Sequence, residues 1–273
     1  MNANELILVT GGTGALGRRV VQRLRDAGHR VRVASRHAHA PDSGVEYAVC
    51  DLERDEGVDA AVAEATIVIH CAGVGKIKQD TSQAQHITRA AGRAGVRHLV
   101  TISVVGADRI PVKTAVDRSG FAYFASQRAK ELVVAGSGTP WTNLRATQFY
   151  DGFILVMVRG LSRLPIVPLP TDTRFQPVDA DEVAVRLVEL ALGEPAGQAP
   201  DIAGPKIYDA GDLMRSYLDA VGKRRRILRI RMPGAAAAAI RAGANLAPDR
   251  AVGRRTWEEF LAAEIVPAVS SRP

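Results

Sequence analysis

Cysteine is scarce in this chain. Cys50 and Cys71 are the only two in 273 residues, with no CxxC pair and no neighbouring ligand set, so neither a disulfide framework nor a cysteine metal site is expected. Long apolar runs are missing as well. No stretch approaches the roughly 18 consecutive apolar residues that a membrane span needs, and the opening MNANELILVTGG has no basic segment followed by an apolar core and a cleavage site. A cytoplasmic chain with no membrane partner is the expectation. The apolar fraction of 47% and charged fraction of 24% exclude global disorder and match an ordinary globular protein.

The net charge of +7 is local. Residues 223–255 hold Lys223, Arg224, Arg225, Arg226, Arg229, Arg231, Arg241, Arg250, Arg254 and Arg255 against Asp249 alone, and the rest of the chain is slightly acidic. No aromatic side chains interleave with the arginines and no DNA-binding motif surrounds them, so a nucleic-acid partner is not expected. Arg226 to Met232 reads instead as an edge strand guarded by charge.

Five short Val- and Ile-rich segments occupy the first 150 residues: Leu6 to Thr10, Val31 to Ser35, Ile67 to His70, His98 to Ser103 and Thr142 to Ala146, with a weaker sixth at Val45 to Cys50. Helical spacing lies between most of them. Leu16, Val20, Val21 and Leu24 share one face before Gly28, for example. Strands alternating with helices imply parallel pairing through crossovers, hence an α/β fold with a doubly wound (Rossmann) parallel sheet. Beyond about residue 150, prolines at 165, 168, 170, 177, 195, 200 and 205 break the rhythm. Helices are predicted over 181–192, over 212–221 with Asp209 near the cap, and over 235–246. Residues 1–150 are read as a dinucleotide-binding core and 151–273 as a smaller, mostly helical substrate-pocket region on the sheet's carboxyl edge, the two forming one compact unit.

The first strand runs into Gly11, Gly14 and Gly17, and a helix begins inside the triplet. Such glycines allow a tight turn, close backbone approach to a pyrophosphate and close packing of helix on strand, while the helix N-terminus offers free N–H groups to phosphate. Thr13, Ala15 and Leu16 lie within that cradle. A second absence then matters: after the second strand comes Ala34-Ser35-Arg36-His37-Ala38-His39, with no carboxylate to accept from a ribose 2′-hydroxyl. Arg36 can pair with a 2′-phosphate and Ser35 can donate to it, which favours NADP(H) over NAD(H). His37 and His39 lack a third ligand and read as surface residues, so no metal is expected.

These residues resemble the short-chain dehydrogenase/reductases, in their atypical, NmrA-like branch. The likeness rests on Thr10-Gly11-Gly12-Thr13-Gly14-Ala15-Leu16-Gly17, Cys50-Asp51-Leu52, Cys71-Ala72-Gly73-Val74, Ile102-Ser103-Val104-Val105-Gly106, the run Pro140 to Phe149, and Pro177-Val178-Asp179, and it covers about residues 5–195. The resemblance implies that Asp51 and Leu52 border an adenine, that Ala72, Gly73 and Val74 follow the pyrophosphate and ribose, and that Thr147, Gln148 and Phe149 flank the nicotinamide.

The family's catalytic signature is a Tyr and a Lys four residues apart on one helix, where the ammonium lowers the phenol pKa and holds the nicotinamide ribose. Here the stretch is Tyr123-Phe124-Ala125-Ser126-Gln127-Arg128-Ala129-Lys130, and Gln127 stands in the lysine's place. Lys130 lies two turns from Tyr123, about 10 Å by helix rise, too far to substitute directly. Tyr123, Gln127 and Ser103 are the candidate catalytic residues. A weakened general acid counts more against reduction of an unactivated ketone than of an electron-poor acceptor, so the expected function is NADPH-dependent reduction of a small, apolar or aromatic acceptor such as a quinone or activated carbonyl. The competing reading is an NADP(H)-sensing regulator that reports to a protein partner with little turnover. Phe149, Phe153, Met157, Leu164 and Ile166 are the expected apolar pocket lining.

Overall fold

The computed structural model describes residues 5–40 and 44–267. Seven parallel strands form the central sheet in the order β3-β2-β1-β4-β5-β6-β9: β1 is Leu6–Thr10, β2 Arg30–Ser35, β3 Val45–Val49, β4 Ala65–His70, β5 His98–Val104, β6 Trp141–Ala146 and β9 Gly197–Gln198. This is an α/β Rossmann-like arrangement whose order reverses between β1 and β4, leaving a crevice at the strands' carboxyl ends. The central strands are near-continuous apolar runs because both sheet faces are covered. Helices α1 (Ala15–Asp26) and α6 (Ala180–Leu192) cover one face, with Val20, Leu24, Val183 and Leu187 fully buried. The other face meets α2 (Val58–Val62), α3 (Ile77–Arg93) and α4 (Ala115–Ala135) through Val62, Ile87, Ala91 and Val134.

Backbone presses on backbone at the start of α1. A Cβ on Gly17 would lie 2.1 Å from the Gly11 carbonyl oxygen, and one on Gly11, whose φ is +68°, would lie 2.7 Å from the Ala72 nitrogen. At Gly17 that spacing admits hydrogen and nothing larger. Gly14 is different, with only the Gly11 oxygen at 3.2 Å.

The remaining elements are α5 (Leu155–Leu161), β7 (Ile166–Pro170), β8 (Arg174–Phe175), β10 (Tyr208–Asp209), α7 (Ala210–Ala220), β11 (Arg226–Ile230), α8 (Ala235–Arg241) and α9 (Trp257–Phe260). Tyr150, Trp257 and Phe260 stack with ring centroids 5.4–5.8 Å apart and anchor a second core with Val167, Leu169 and Met214. Two strand pairs, β7 with β11 in parallel and β8 with β10 in antiparallel, were not anticipated, since the prolines within β7 disguise it. Asp209 does cap α7, accepting from Gly211 N at 2.7 Å. Helix α8 stops at Arg241 instead of Leu246, because Gly243 turns the chain with φ +88°.

Helix α4 opens with a capping box between Thr114 and Asp117, and the same Asp117 carboxylate accepts Ala236 N at 3.0 Å, joining the starts of α4 and α8. The Ala236 and Thr114 N–H groups hold this carboxyl down at about 2.

Gly17→Ala is expected to lower thermal stability by about 1–3 kcal/mol, the usual range for overpacking. Melting followed by circular dichroism checks this, and an unchanged melting temperature would contradict the close approach.

Candidate active site

The crevice begins with the glycine turn. Gly14 N donates to Gly11 O at 2.9 Å, and the first turn of α1 has no side-chain cap and no acidic residue. The N–H groups of Ala15, Leu16 and Gly17 have no intrahelical acceptor and are available to an anion. Thr13, Gly14 and Ala15 are exposed, and Arg18 donates to the Thr13 carbonyl at 2.6 Å.

Facing the turn is the loop after β4. Buried Asp80 accepts from Val74 N at 2.7 Å and Gly75 N at 3.0 Å and also takes the Ser126 hydroxyl, so one carboxylate holds Ala72–Gly75 in place. At the end of β2, Arg36 is exposed with no carboxylate partner among the described residues. Ser35 is less free than expected: its hydroxyl shares a 2.8 Å hydrogen bond with His39, which stacks on Tyr47, and accepts from His37 N. After β3, Asp51 Oδ1 accepts from Glu53 N at 2.8 Å and Arg54 N at 3.2 Å, a turn role that leaves Oδ2 for other contacts, and Leu52 is buried.

The crevice opens into a cavity of about 480 Å³. Leu16, Ala72, Gly73, Ser103, Thr147 and Gln148 line it at the carboxyl ends of the strands. The outer walls are apolar and include Phe121, Phe124, Phe149, Phe153, Met157 and Phe175. Three of the expected lining residues, Phe149, Phe153 and Met157, are there. Leu164 and Ile166 are not: Ile166 opens β7 and Leu164 precedes it, both exposed to solvent. Thr147 Oγ1 and both amide atoms of Gln148 are buried without a hydrogen-bond partner, a set of donors and acceptors suited to a polar ring substituent. The cradle, the carboxylate-held loop and these orphaned atoms together fit a nicotinamide dinucleotide.

Tyr123 and Gln127 also line the cavity, with Gln127 buried and Tyr123 48% exposed, its ring packed over Gly75. Surrounding protein and then the Asp80 carboxylate push the Tyr123 phenol up to about 12, so it stays protonated at neutral pH. Ser103 donates to Glu131 Oε1 at 2.6 Å, and Glu131 also receives Arg145 through Nε and Nη2, both at 2.8 Å. With its single proton committed, Ser103 is an acceptor toward the cavity and not the donor a catalytic role would need.

Lys130 is the residue that counting along the helix axis set aside. Positions 123, 127 and 130 fall on one helix face, and Lys130 shares the cavity wall with Tyr123 and Gln127, its Nζ donating to Ile102 O at 2.6 Å. Burial lowers its pKa to about 8 against the upward pull of Asp80, Cys71 and Glu131. Burial also pushes the Cys71 thiol, in the same wall, up to about 12, which makes it a poor nucleophile. No cluster of three or more potential metal ligands occurs among the described residues, and no helix there is long and apolar enough to cross a membrane.

Residues 11–155 match the model of an NAD(P)H-binding family, and the chain belongs to it. Among named relatives, the (4-alkanoyl-5-oxo-2,5-dihydrofuran-3-yl)methyl phosphate reductase of Streptomyces griseus is 29% identical over 225 residues, covering 80% of this chain and 74% of that one. Ceramide reductase of Caulobacter vibrioides is 27% identical over 252 residues, covering 85% and 76%. An NADPH-dependent quinone oxidoreductase from Escherichia coli, solved with NADPH, shares the fold with a TM-score of 0.77 at 16% identity, over 94% of this chain and 98% of that one.

Gly14→Val places a branched side chain at the head of α1, where a Cβ stands 3.2 Å from the Gly11 carbonyl oxygen and asks only a small shift of it. The variant is expected to keep its circular dichroism spectrum and lose NADPH binding; a folded variant of unchanged affinity would refute the cradle.

Proposed function

We propose that this protein is an NADPH-dependent reductase of a small, apolar, electron-poor acceptor, a quinone or an activated carbonyl. The observation that carries this reading is a cavity that runs from Leu16, in the first turn of α1, and the loop of Ala72 and Gly73 to aromatic walls and holds Tyr123, Gln127 and Lys130. The named substrate of the Streptomyces griseus relative, a dihydrofuranylmethyl phosphate bearing oxo and alkanoyl groups, shares the activated carbonyl and differs in carrying a phosphate.

The N–H groups of Ala15, Leu16 and Gly17 receive the pyrophosphate and Arg36 the 2′-phosphate. Asp51 and Leu52 border the adenine, Ala72, Gly73 and Val74 lie along the sugar, and Thr147, Gln148 and Phe149 flank the nicotinamide. Bound NADPH supplies a hydride at that end of the cavity. The chain's own residues then set which acceptors react. A phenol at about 12 is a weak acid, so Tyr123 orients an acceptor oxygen through a hydrogen bond more readily than it protonates one. Lys130 spends one of its three N–H donors on Ile102 O and holds positive charge beside the negative charge that develops on the reduced acceptor. Gln127, uncharged, is left to hydrogen-bond a ribose hydroxyl. The arrangement favours acceptors that stabilise their own negative charge, and turnover with a quinone panel separates it from a sensor that binds NADP(H) without reacting.

Two measurements test the assignment. Calorimetric titration is expected to show NADPH bound more tightly than NADH, with Arg36→Ala weakening NADPH by roughly 1.5–3 kcal/mol, the value of a charge-assisted contact; equal wild-type affinity for the two cofactors would remove Arg36 from this role. For Lys130, the ammonium is present below about 8 and lost above it. Quinone turnover is therefore expected to fall as pH rises through that value, and Lys130→Met to lower kcat by about a hundredfold while abolishing the pH limb. A limb that persists in Lys130→Met would assign it to another group.

A further inference from the structure

The outward face of the β7–β11 ribbon has no place in the reading above. In its parallel register Ile166 stands beside Arg226, Leu228 beside Pro168 and Ile230 beside Pro170. The alternate residues Val167, Leu169 and Ile227 pack into the core. Ile166, Leu228 and Ile230 are 51%, 54% and 44% exposed, and Leu164, just before β7, is 41% exposed. Clustered apolar exposure of this kind marks a contact surface.

Its surroundings are cationic. Arg163, Lys223, Arg224, Arg226 and Arg231 are exposed and have no carboxylate partner among the described residues, while Arg225 bonds only to the carbonyls of Ser162 and Arg224. Of the acids near the ribbon, Asp209 pairs with Arg229 of β11 at 2.9 Å and Asp212 with Arg215 at 2.6 Å.

We propose that this face rests on an anionic lipid surface, with Leu164, Ile166, Leu228 and Ile230 entering the boundary between headgroups and acyl chains and the cations binding headgroup phosphates. A second copy fits poorly, because self-pairing would set one ring of cations against another, and β7 has no N–H to donate at Pro168 or Pro170 for strand addition. Nucleic acid fits poorly because the centre of the face is aliphatic and offers no aromatic ring for a base to stack on. Both strands lead to the cavity, since Pro170 ends β7, Thr171 follows it, Met232 follows β11, and all three line the cavity wall. The contact would thus bring an apolar acceptor's source next to the site, a consequence that rests on the reductase reading, whereas the contact itself does not.

Cosedimentation of the full chain with phosphatidylcholine vesicles, with and without phosphatidylglycerol, tests this. Binding is expected only to the anionic vesicles, weakening with salt. Each of Arg224→Gln and Arg226→Gln is expected to reduce it roughly fivefold, and Leu228→Asp with Ile230→Asp to abolish it, all with unchanged NADPH affinity as the check on folding. Absence of binding to anionic vesicles, or undiminished binding by the Leu228→Asp/Ile230→Asp variant, overturns the proposal. So does a wild-type dimer in light scattering that Leu228→Asp splits, which would assign the face to a second copy, and so does displacement from vesicles by duplex DNA with retained binding to that DNA.

Discussion

Everything at the site depends on backbone meeting backbone at the crossing of β1, α1 and the loop after β4. Gly17 carries no side chain because the Gly11 carbonyl stands where its Cβ would be, and Gly11 carries none because Ala72 stands on its other side. That contact fixes where the free N–H groups of α1 point and how far the loop of Ala72–Gly75 stands from them. The loop is then held by Asp80, whose two oxygens accept Val74 N, Gly75 N and the Ser126 hydroxyl. Ser126 lies on α4 between Tyr123 and Gln127, so the carboxylate that shapes the nucleotide loop also sets the depth of the helix bearing the cavity's polar groups.

A second polar centre fixes that helix from below. Glu131 receives Ser103, Asn143, Arg145 and Arg128, linking α4 to the carboxyl ends of β5 and β6. Burying a carboxylate and a guanidinium is costly, and the cost is offset only when geometry and hydrogen bonding are complete. Here the Arg145 fork is bidentate and its third nitrogen reaches Asp108 at 2.8 Å. The pair secures the register of helix on sheet, and it removes Ser103 from proton donation.

Much of the sheet was legible in the sequence, because central parallel strands must be apolar on both faces and thus stand out as short Val and Ile runs. The six strands of the first 150 residues lie within two residues of their expected bounds, and the glycine spacing marked the turn where backbone meets backbone at Gly11 and Gly17. The second half was less legible. Strands β8, β9 and β10 are two residues long, too short to show periodicity, and β7 contains prolines that a strand search rejects. Leu164 and Ile166 look like pocket lining by composition; the pairing with β11 turns Ile166 outward, and Leu164 lies exposed just before the strand. Lys130 lies two turns from Tyr123, and its place in the cavity wall comes from its bond to Ile102 O, a contact across to β5 that spacing along one helix does not show.

Asp117 has a mechanical consequence. Helix α4 carries Tyr123, Gln127 and Lys130 on one wall of the cavity, and α8 carries Ala237, Ile240 and Arg241 on another. The N–H of Thr114, the cap of α4, and that of Ala236, in the first turn of α8, both donate to the same carboxylate, and Gly234 admits the approach, since a Cβ there would lie 2.6 Å from Asp117 Oδ1. The two walls therefore share a pivot. Because Glu131 holds α4 on the sheet, any widening of the cavity that keeps this joint is a swing of α8 about Asp117, largest at the end farthest from it, where Arg241 lies.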